Sequence, residues 1–98
     1  MSSRIVHQVA FRLRPDVAAG SFLADSKSVL SAIPGVERFA VYRQVSAKND
    51  YEYVFSMEFA DQSAYDAYNA HPDHVRYVAE KWKTCVSDFL EIDTKEYA

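Results

Sequence analysis

Three histidines are the residues of this chain best suited to proton transfer near neutral pH. His71 and His74 stand on either side of Pro72 in the segment AYNAHPDHVRY, and His7 lies in an alternating segment near the N-terminus. Imidazole has an unperturbed pKa of about 6.5, so it serves as an acid, a base or a metal ligand. The segment around Pro72 therefore raises three hypotheses: a helix junction, a metal clip or the edge of an active site.

His74 borders the apolar stripe of a predicted helix, because Val78 follows it by four residues. Tyr68 ends the preceding helical stretch. If the chain bends at Pro72, the Tyr68 and His74 side chains converge on one cleft under the helices. His71, directly before the proline, is interpreted as a helix-end residue with an exposed ring.

His7 has two interpretations. It lies among apolar residues on a predicted central strand, where it is either a neutral buried imidazole bonded to a backbone or tyrosine partner, or an acid, base or orienting group in a pocket. A metal clip of His71 and His74 is disfavoured, since Pro72 breaks the helical spacing and no third ligand follows at a typical distance. We therefore expect no metal and no cofactor.

The composition excludes several other functions. The net charge of −3, without a basic stripe, argues against nucleic-acid binding. The single cysteine, Cys85, excludes an internal disulfide and favours a reducing, cytoplasmic setting. No apolar run approaches the ~20 residues of a membrane span. Neither a nucleophile elbow nor a glycine-rich phosphate loop occurs.

Hydrophobic spacing predicts the order strand, helix, strand, strand, helix, strand. Asp16 and Asp61 are predicted N-caps of the two helices, and Gly35 is predicted to adopt a left-handed conformation after the first helix. The second helix is expected to break at Pro72 and to continue afterwards. The predicted ranges are strand 6–14, helix 17–33, strand 36–45, strand 51–59, helix 61–69 with its continuation 72–85, and strand 88–93.

This order predicts a single α+β domain over residues 1–98. The expected fold is a ferredoxin-like βαββαβ plait, in which a four-stranded antiparallel sheet has its first and third strands at the centre and both helices on one face. His7 and Tyr53 would lie beneath the helices. The other sheet face is too apolar for water, which predicts a homodimer through that face. Its residues are Val6, Ala10, Ala40, Tyr42, Val54 and Leu90 or Ile92.

The segments IVHQVAFRLRPD, IPGVERFAVYRQVS, YEYVFSMEFADQSAYDAYNAHPDHVRYV and CVSDFLEID resemble the stress-responsive A/B barrel (Dabb) domain family. The resemblance spans nearly the whole chain, and AYNAHPDHV preceded by MEFAD is its most specific part. It implies a dimeric α/β barrel whose two sheets pack face to face. The family includes a plant polyketide cyclase that closes a ring by aldol condensation without metal or organic cofactor, and plant members are linked with stress responses.

The resemblance also implies roles for individual residues. His74 matches the general base of the cyclase, Tyr68 the tyrosine that orients the substrate carbonyl, and His7 a pocket histidine. Tyr53 and Ser26 depart from the cyclase, which has a histidine and a tyrosine there. We therefore predict His74, Tyr68 and His7 as catalytic residues and a small apolar or carbonyl-containing ligand. The predicted ligand-contacting residues are Val9, Phe11, Phe22, Ser26, Phe39, Tyr53 and Phe55.

Three functional hypotheses follow. In the first, His74 removes a proton next to a carbonyl while Tyr68 and His7 hold the developing oxyanion, as in cyclase-like or lyase-like chemistry. In the second, the protein is a non-catalytic, stress-related binding or structural dimer. In the third, it is an enzyme like the related monooxygenase barrels. An open cleft that reaches His74 discriminates the first from a purely structural role.

Overall fold

The computed structural model describes residues 3–98; the first two residues of the predicted domain, 1–98, lie outside this range. The chain follows the predicted order of elements, with the second helix divided into several pieces. In chain order they are β1 (Ile5–Leu13), α1 (Ala19–Ser31), β2 (Glu37–Arg43), β3 (Tyr53–Phe59), α2 (Gln62–Ala70), α3 (Pro72–Tyr77), a π-helical segment (Val78–Trp82), α4 (Lys83–Cys85) and β4 (Val86–Thr94).

The four strands form an antiparallel sheet in the order β2-β3-β1-β4. The predicted pairing of the first and third strands at the centre is therefore confirmed. In β1, His7 faces Met57 of β3 on one side and Asp93 of β4 on the other. This register brings the side chains of three strands together around His7, on the face that the helices cover.

Aromatic and aliphatic side chains from the helix-facing side of the sheet make the core. Phe11, Phe55 and Phe59 are almost completely buried, and Phe22 and Leu30 of α1 pack on them. The alternation in β1 buries every second residue, as its sequence predicts. One face of the sheet is thereby occupied by the helix layer, and the space between the two layers is where a cavity can form.

Asp61 caps α2 as predicted, because its side chain accepts a hydrogen bond from the amide of Ala64 at 2.8 Å. The predicted cap at Asp16 is wrong. The amide of Val17 bonds to the carbonyl of Arg14, which closes a turn, and α1 begins only at Ala19 without a side-chain cap. Asp16 therefore lies in the turn that precedes the helix rather than at its first residue.

Gly35 follows α1 with a φ of +93°, the left-handed conformation predicted for it. An L-amino acid is strained in this region, because its Cβ approaches the neighbouring carbonyl oxygen. Gly20 lies inside the first turn of α1, where an added Cβ would meet no atom within 4 Å. A side chain would therefore be strained at position 35 and unobstructed at position 20.

Candidate functional site

A cavity of about 120 Å³ lies between the sheet and the helices. Side chains from β1, β3 and β4 and from both helical regions surround it, and the exposed residues Phe89 and Glu91 of β4 lie at its edge. Its wall contains His7, Val9, Leu30, Phe55, Met57, Tyr68, Asn69, His74, Tyr77, Val78, Trp82, Phe89 and Glu91. All three predicted catalytic residues thus border the same space.

The joint between α2 and α3 places Tyr68 and His74 side by side. His71 is extended and its ring accepts the amide of Asp73, while Pro72 takes the first position of α3. Across this bend the Tyr68 and His74 rings contact each other with centroids 4.4 Å apart. The convergence expected from the bend at Pro72 is therefore present.

His74 is held in one orientation by the end of α2. Its Nδ1 lies 3.2 Å from the carbonyl oxygen of Asn69, which only accepts, so Nδ1 carries the proton that is donated. Burial lowers the pKa of His74, and the nearby His7 lowers it further. His74 is therefore neutral at pH 7, and its Nε2 is an unprotonated base.

The Tyr68 hydroxyl is a donor that faces the cavity. Tyr68 is only 2% exposed, and no hydrogen-bond partner of its hydroxyl lies among residues 3–98. Burial raises the pKa of Tyr68, with the charge of Glu91 among the smaller contributions, so the hydroxyl keeps its proton. None of the fully buried side-chain oxygens of the described residues lacks a hydrogen-bond partner, so the Tyr68 hydroxyl is accessible from the cavity, where a ligand oxygen can accept its proton.

His7 belongs to a hydrogen-bonded group at the same end of the cavity. Its Nδ1 lies 2.5 Å from Oδ1 of Asp93, and the Tyr65 hydroxyl donates to Oδ2 of Asp93 at 2.8 Å. The Tyr65 hydroxyl also lies 3.2 Å from Nδ1 of His7. Since the carboxylate accepts the Nδ1 proton, Nε2 of His7 is left for the cavity. It accepts a hydrogen bond when His7 is neutral and donates one when His7 is protonated.

The π-helical segment completes the wall opposite the sheet. It brings Val78 and Trp82 to the cavity, and the indole of Trp82 contacts Phe89 of β4 with ring centroids 5.6 Å apart. Such widened turns are rare and occur frequently at functional sites. Here the segment sets the aromatic side of the mouth, whereas α2 and α3 supply the polar side.

Two of the predicted ligand-contacting residues, Val9 and Phe55, line this cavity. The structure places the others outside its wall. Phe11 and Phe22 contact each other and Trp82 within the core. The remaining three are Ser26, which is fully buried and accepts a hydrogen bond from Tyr77, Phe39, which packs on Phe55, and Tyr53, which packs against Phe11 and Arg43.

His71 stands apart from the cavity wall, as its interpretation as a helix-end residue implies. Its ring is partly buried rather than exposed, with 32% of the side chain accessible. Its Nδ1 accepts the Asp73 amide, whereas Nδ1 of His74 donates to Asn69. The two imidazoles thus have separate partners, which does not favour their joint use as a metal clip.

A different set of donors fits a divalent cation in part. His7, Glu91 and Asp93 offer one nitrogen and two carboxylate oxygens within 4.8 Å of one another. Imidazole and carboxylate together suit several first-row metals. In this structure Asp93 is engaged by His7 and Tyr65 instead, so the same atoms already form a hydrogen-bonded group.

Sequence reasoning missed Asp93, Glu91 and Asn69, and it took Tyr65 only as a core aromatic. A signal for two of them exists in the last strand, where Phe89, Glu91 and Asp93 alternate with outward residues. Pairing that strand with β1 in the observed register puts Asp93 opposite His7 and Glu91 opposite Val9. The pairing joins residues 86 positions apart, so no local pattern reveals it.

The profile of the stress-responsive A/B barrel domain matches residues 5–96. The chain belongs to this family. A Dabb family protein with a ferredoxin-like fold from Mesorhizobium loti is 48% identical, has a TM-score of 0.93, and is matched over 97% of this chain and 98% of that one. The suspected A/B barrel family and the ferredoxin-like α+β fold are thus confirmed. No curated protein matches the chain.

Two more distant structures share the fold of this A/B barrel domain. A hydroxynitrile lyase from Passiflora edulis is 9% identical with a TM-score of 0.86, covering 100% of this chain and 98% of its own. A dimeric ferredoxin-like protein of unknown function from Thermobifida fusca is 19% identical with a TM-score of 0.79, covering 98% and 93%. At these identities the likeness concerns the fold alone. None of the helices in residues 3–98 is long and apolar enough to cross a bilayer.

Proposed function

We propose that the protein is a homodimeric A/B barrel that binds a small carbonyl compound in the cavity and removes a proton next to the carbonyl without a cofactor. The observation that carries this proposal is the contact of Tyr68 and His74 at the cavity wall, where the former offers a free donor and the latter an unprotonated nitrogen. A donor and a base side by side are the two groups that enolisation requires.

The roles follow from the hydrogen bonds. Nε2 of His74 takes the proton from the carbon, because Nδ1 is already engaged by Asn69. The Tyr68 hydroxyl donates to the carbonyl oxygen and stabilises the charge that develops on it. His7, whose Nδ1 is hydrogen bonded to Asp93, lies at the same end of the cavity and helps to position the ligand. The proton on His74 then returns to the enolate carbon or to a leaving group.

The test is hydrogen–deuterium exchange at the methyl group of acetophenone in D₂O, followed by NMR. The protein is expected to accelerate exchange above buffer, and His74→Gln and Tyr68→Phe are each expected to lower that acceleration by a factor of about 100 or more. His71→Asn is the matched control, because it changes the other histidine of the joint but keeps a side chain able to cap α3.

Equal exchange rates in the parent and both site variants would remove the catalytic part of the proposal. A parent that binds acetophenone but does not accelerate exchange would leave the non-catalytic binding dimer as the function. Fold stability of each variant is measured alongside, since loss of folded protein would also lower the rate.

The homodimer rests on the sheet face that the helices leave uncovered. Tyr42, Leu90 and Ile92 are about half exposed there, and Ala10 and Val54 lie between them in the sheet. A contiguous apolar face of this kind is typical of an interface, and a second copy of the chain supplies a matching one by two-fold symmetry. The ferredoxin-like relative from Thermobifida fusca is dimeric, which supports the association of two copies.

Analytical ultracentrifugation tests the interface. Leu90→Lys introduces a charge on the β4 side of the apolar face and is expected to shift the protein from dimer to monomer. Val45→Lys is the matched control, because Val45 is 88% exposed and lies beyond the end of β2. A Leu90→Lys protein that stays dimeric would refute an interface on this face.

A further inference from the structure

We infer that the cavity takes an uncharged carbonyl compound whose apolar part is about one six-membered ring, and that Glu91 at its mouth rejects carboxylates. The inference rests on the proposed function for the location of the site, and it names the ligand class. Three observations carry it: the size of the cavity, the separation of its polar and apolar ends, and the sign of the charges around it.

The size limits the ligand. The cavity measures about 120 Å³. An apolar cavity of about 150 Å³ holds benzene, whereas pockets for drug-sized ligands span roughly 300–1,000 Å³. The enclosed part of a ligand is therefore close to a single ring or a branched chain of similar volume. Larger groups must extend through the mouth beside Phe89 and Glu91.

The polar and apolar groups of the wall lie at opposite ends. The sheet register places His7 opposite Asp93 at one end, and Phe11 opposite Phe89 at the other. Tyr68 and His74 lie at the His7 end, because the rings of His7 and Tyr68 are 6.3 Å apart. Trp82 lies at the other end, where its ring contacts both Phe11 and Phe89. A ligand thus needs one oxygen acceptor next to a compact apolar body.

The charges around the cavity have one sign. Glu91 belongs to the wall, and Asp93 stands behind His7. None of the residues that line the cavity is lysine or arginine. His74 is neutral at pH 7, since burial lowers its pKa. A carboxylate ligand would therefore meet the Glu91 carboxylate without a fixed cation from the wall to neutralise it, and like charges brought together weaken binding.

Acetophenone, benzamide and benzoate test the charge, since the three have nearly the same shape and only benzoate is charged. Their affinities for the full chain are measured by isothermal titration calorimetry and by chemical shifts of the cavity amides. Acetophenone and benzamide are expected to bind about tenfold or more tightly than benzoate. 2-Acetylnaphthalene, with a second ring, is expected to bind more weakly than acetophenone.

Glu91→Gln tests whether the Glu91 carboxylate disfavours charged ligands. Glu80→Gln is the control, because Glu80 carries the same charge but lies in the π-helical segment outside the cavity wall. The first variant is expected to reduce the preference for acetophenone over benzoate, and the control is expected to keep the preference of the parent. Benzoate binding that equals acetophenone binding in the parent, or an unchanged preference in Glu91→Gln, would overturn the role of Glu91.

The affinities separate this inference from the proposed function. Selective binding of the uncharged ligands without proton exchange supports the ligand class while refuting the catalytic role of His74. Proton exchange together with benzoate binding that equals or exceeds acetophenone binding supports the catalytic proposal and refutes the ligand class. If none of the three ring compounds binds at millimolar concentration, the inferred ligand class is refuted.

Discussion

The hydrogen bond between Tyr77 and Ser26 provides a prediction that separates structural support from ligand contact. The Tyr77 hydroxyl donates to Ser26 at 2.7 Å, and Ser26 is 0% exposed. Burial raises the pKa of Tyr77 to about 12, so the hydroxyl stays protonated and the bond persists across the physiological range. The bond joins α1 to α3. Tyr77 lines the cavity and Ser26 does not, so Ser26 supports the site from behind without contacting the cavity.

Removing one partner leaves the other buried without a hydrogen bond, which costs about 1–3 kcal/mol of unfolding free energy. Tyr77→Phe is expected near the lower half of this range, because the Ser26 hydroxyl can turn to a carbonyl of its own helix. Ser26→Ala is expected to cost a similar amount. The double variant is expected to lie close to the less destabilised single variant, which corresponds to a coupling of about 1–2 kcal/mol.

Urea unfolding at fixed protein concentration measures the four proteins, since association with a second copy would otherwise change the apparent stability. Additive costs in the double variant would refute the reasoning, because they would show that the two hydroxyls act independently. Acetophenone affinity is measured in the same proteins. A Ser26→Ala protein of unchanged stability but reduced affinity would instead assign Ser26 to ligand contact.

Two further predictions concern single positions. Gly35→Ala is expected to lower the unfolding free energy by about 1–2 kcal/mol, since the backbone there is left-handed. Gly20→Ala is expected to raise it by about 0.5–1 kcal/mol, because the added methyl group has open space on α1. Urea unfolding of both variants checks the opposite signs. Burial lowers the pKa of His74, so the imidazole binds a proton more readily in the unfolded chain than in the folded one. The contribution of His74 to stability therefore falls as the pH drops below 6.5, the pKa of the unfolded chain. His74→Gln is therefore expected to lose less stability than the parent between about pH 7.5 and about pH 5, and unfolding curves that fall in parallel would contradict this.

Local patterns account for most of the fold and for part of the site. The alternation in β1 predicts which residues face the helices, and Pro72 predicts the joint that brings Tyr68 to His74. Asp61 was predicted correctly because an N-cap needs only an amide a few residues away. Asp16 has the same residue type before a helix, but the turn from Arg14 delays the helix start.

The parts that sequence reasoning missed depend on contacts between distant segments. Asp93 reaches His7 only because β4 pairs with β1 in one register, and a shift of one residue would turn Asp93 to the other face. The cavity wall depends likewise on the π-helical segment, which moves Trp82 relative to an ordinary helix. Large aromatic residues were predicted to contact the ligand, yet Phe11 and Phe22 fill the core, where most of their surface is buried.

The two cavity histidines have hydrogen-bond partners of different charge, and this difference suits them to different roles in the proposed reaction. Both rings use Nδ1 within the protein and leave Nε2 for the cavity, so the tautomer alone does not distinguish them. The partner of His74 is a neutral peptide carbonyl, which fixes the ring without compensating a positive charge. The partner of His7 is the Asp93 carboxylate, which also accepts a hydrogen bond from Tyr65 and so holds the ring in a connected polar group. In the proposed reaction the base is therefore assigned to His74, whose pKa is lowered by burial, and His7 is assigned the positioning of the ligand.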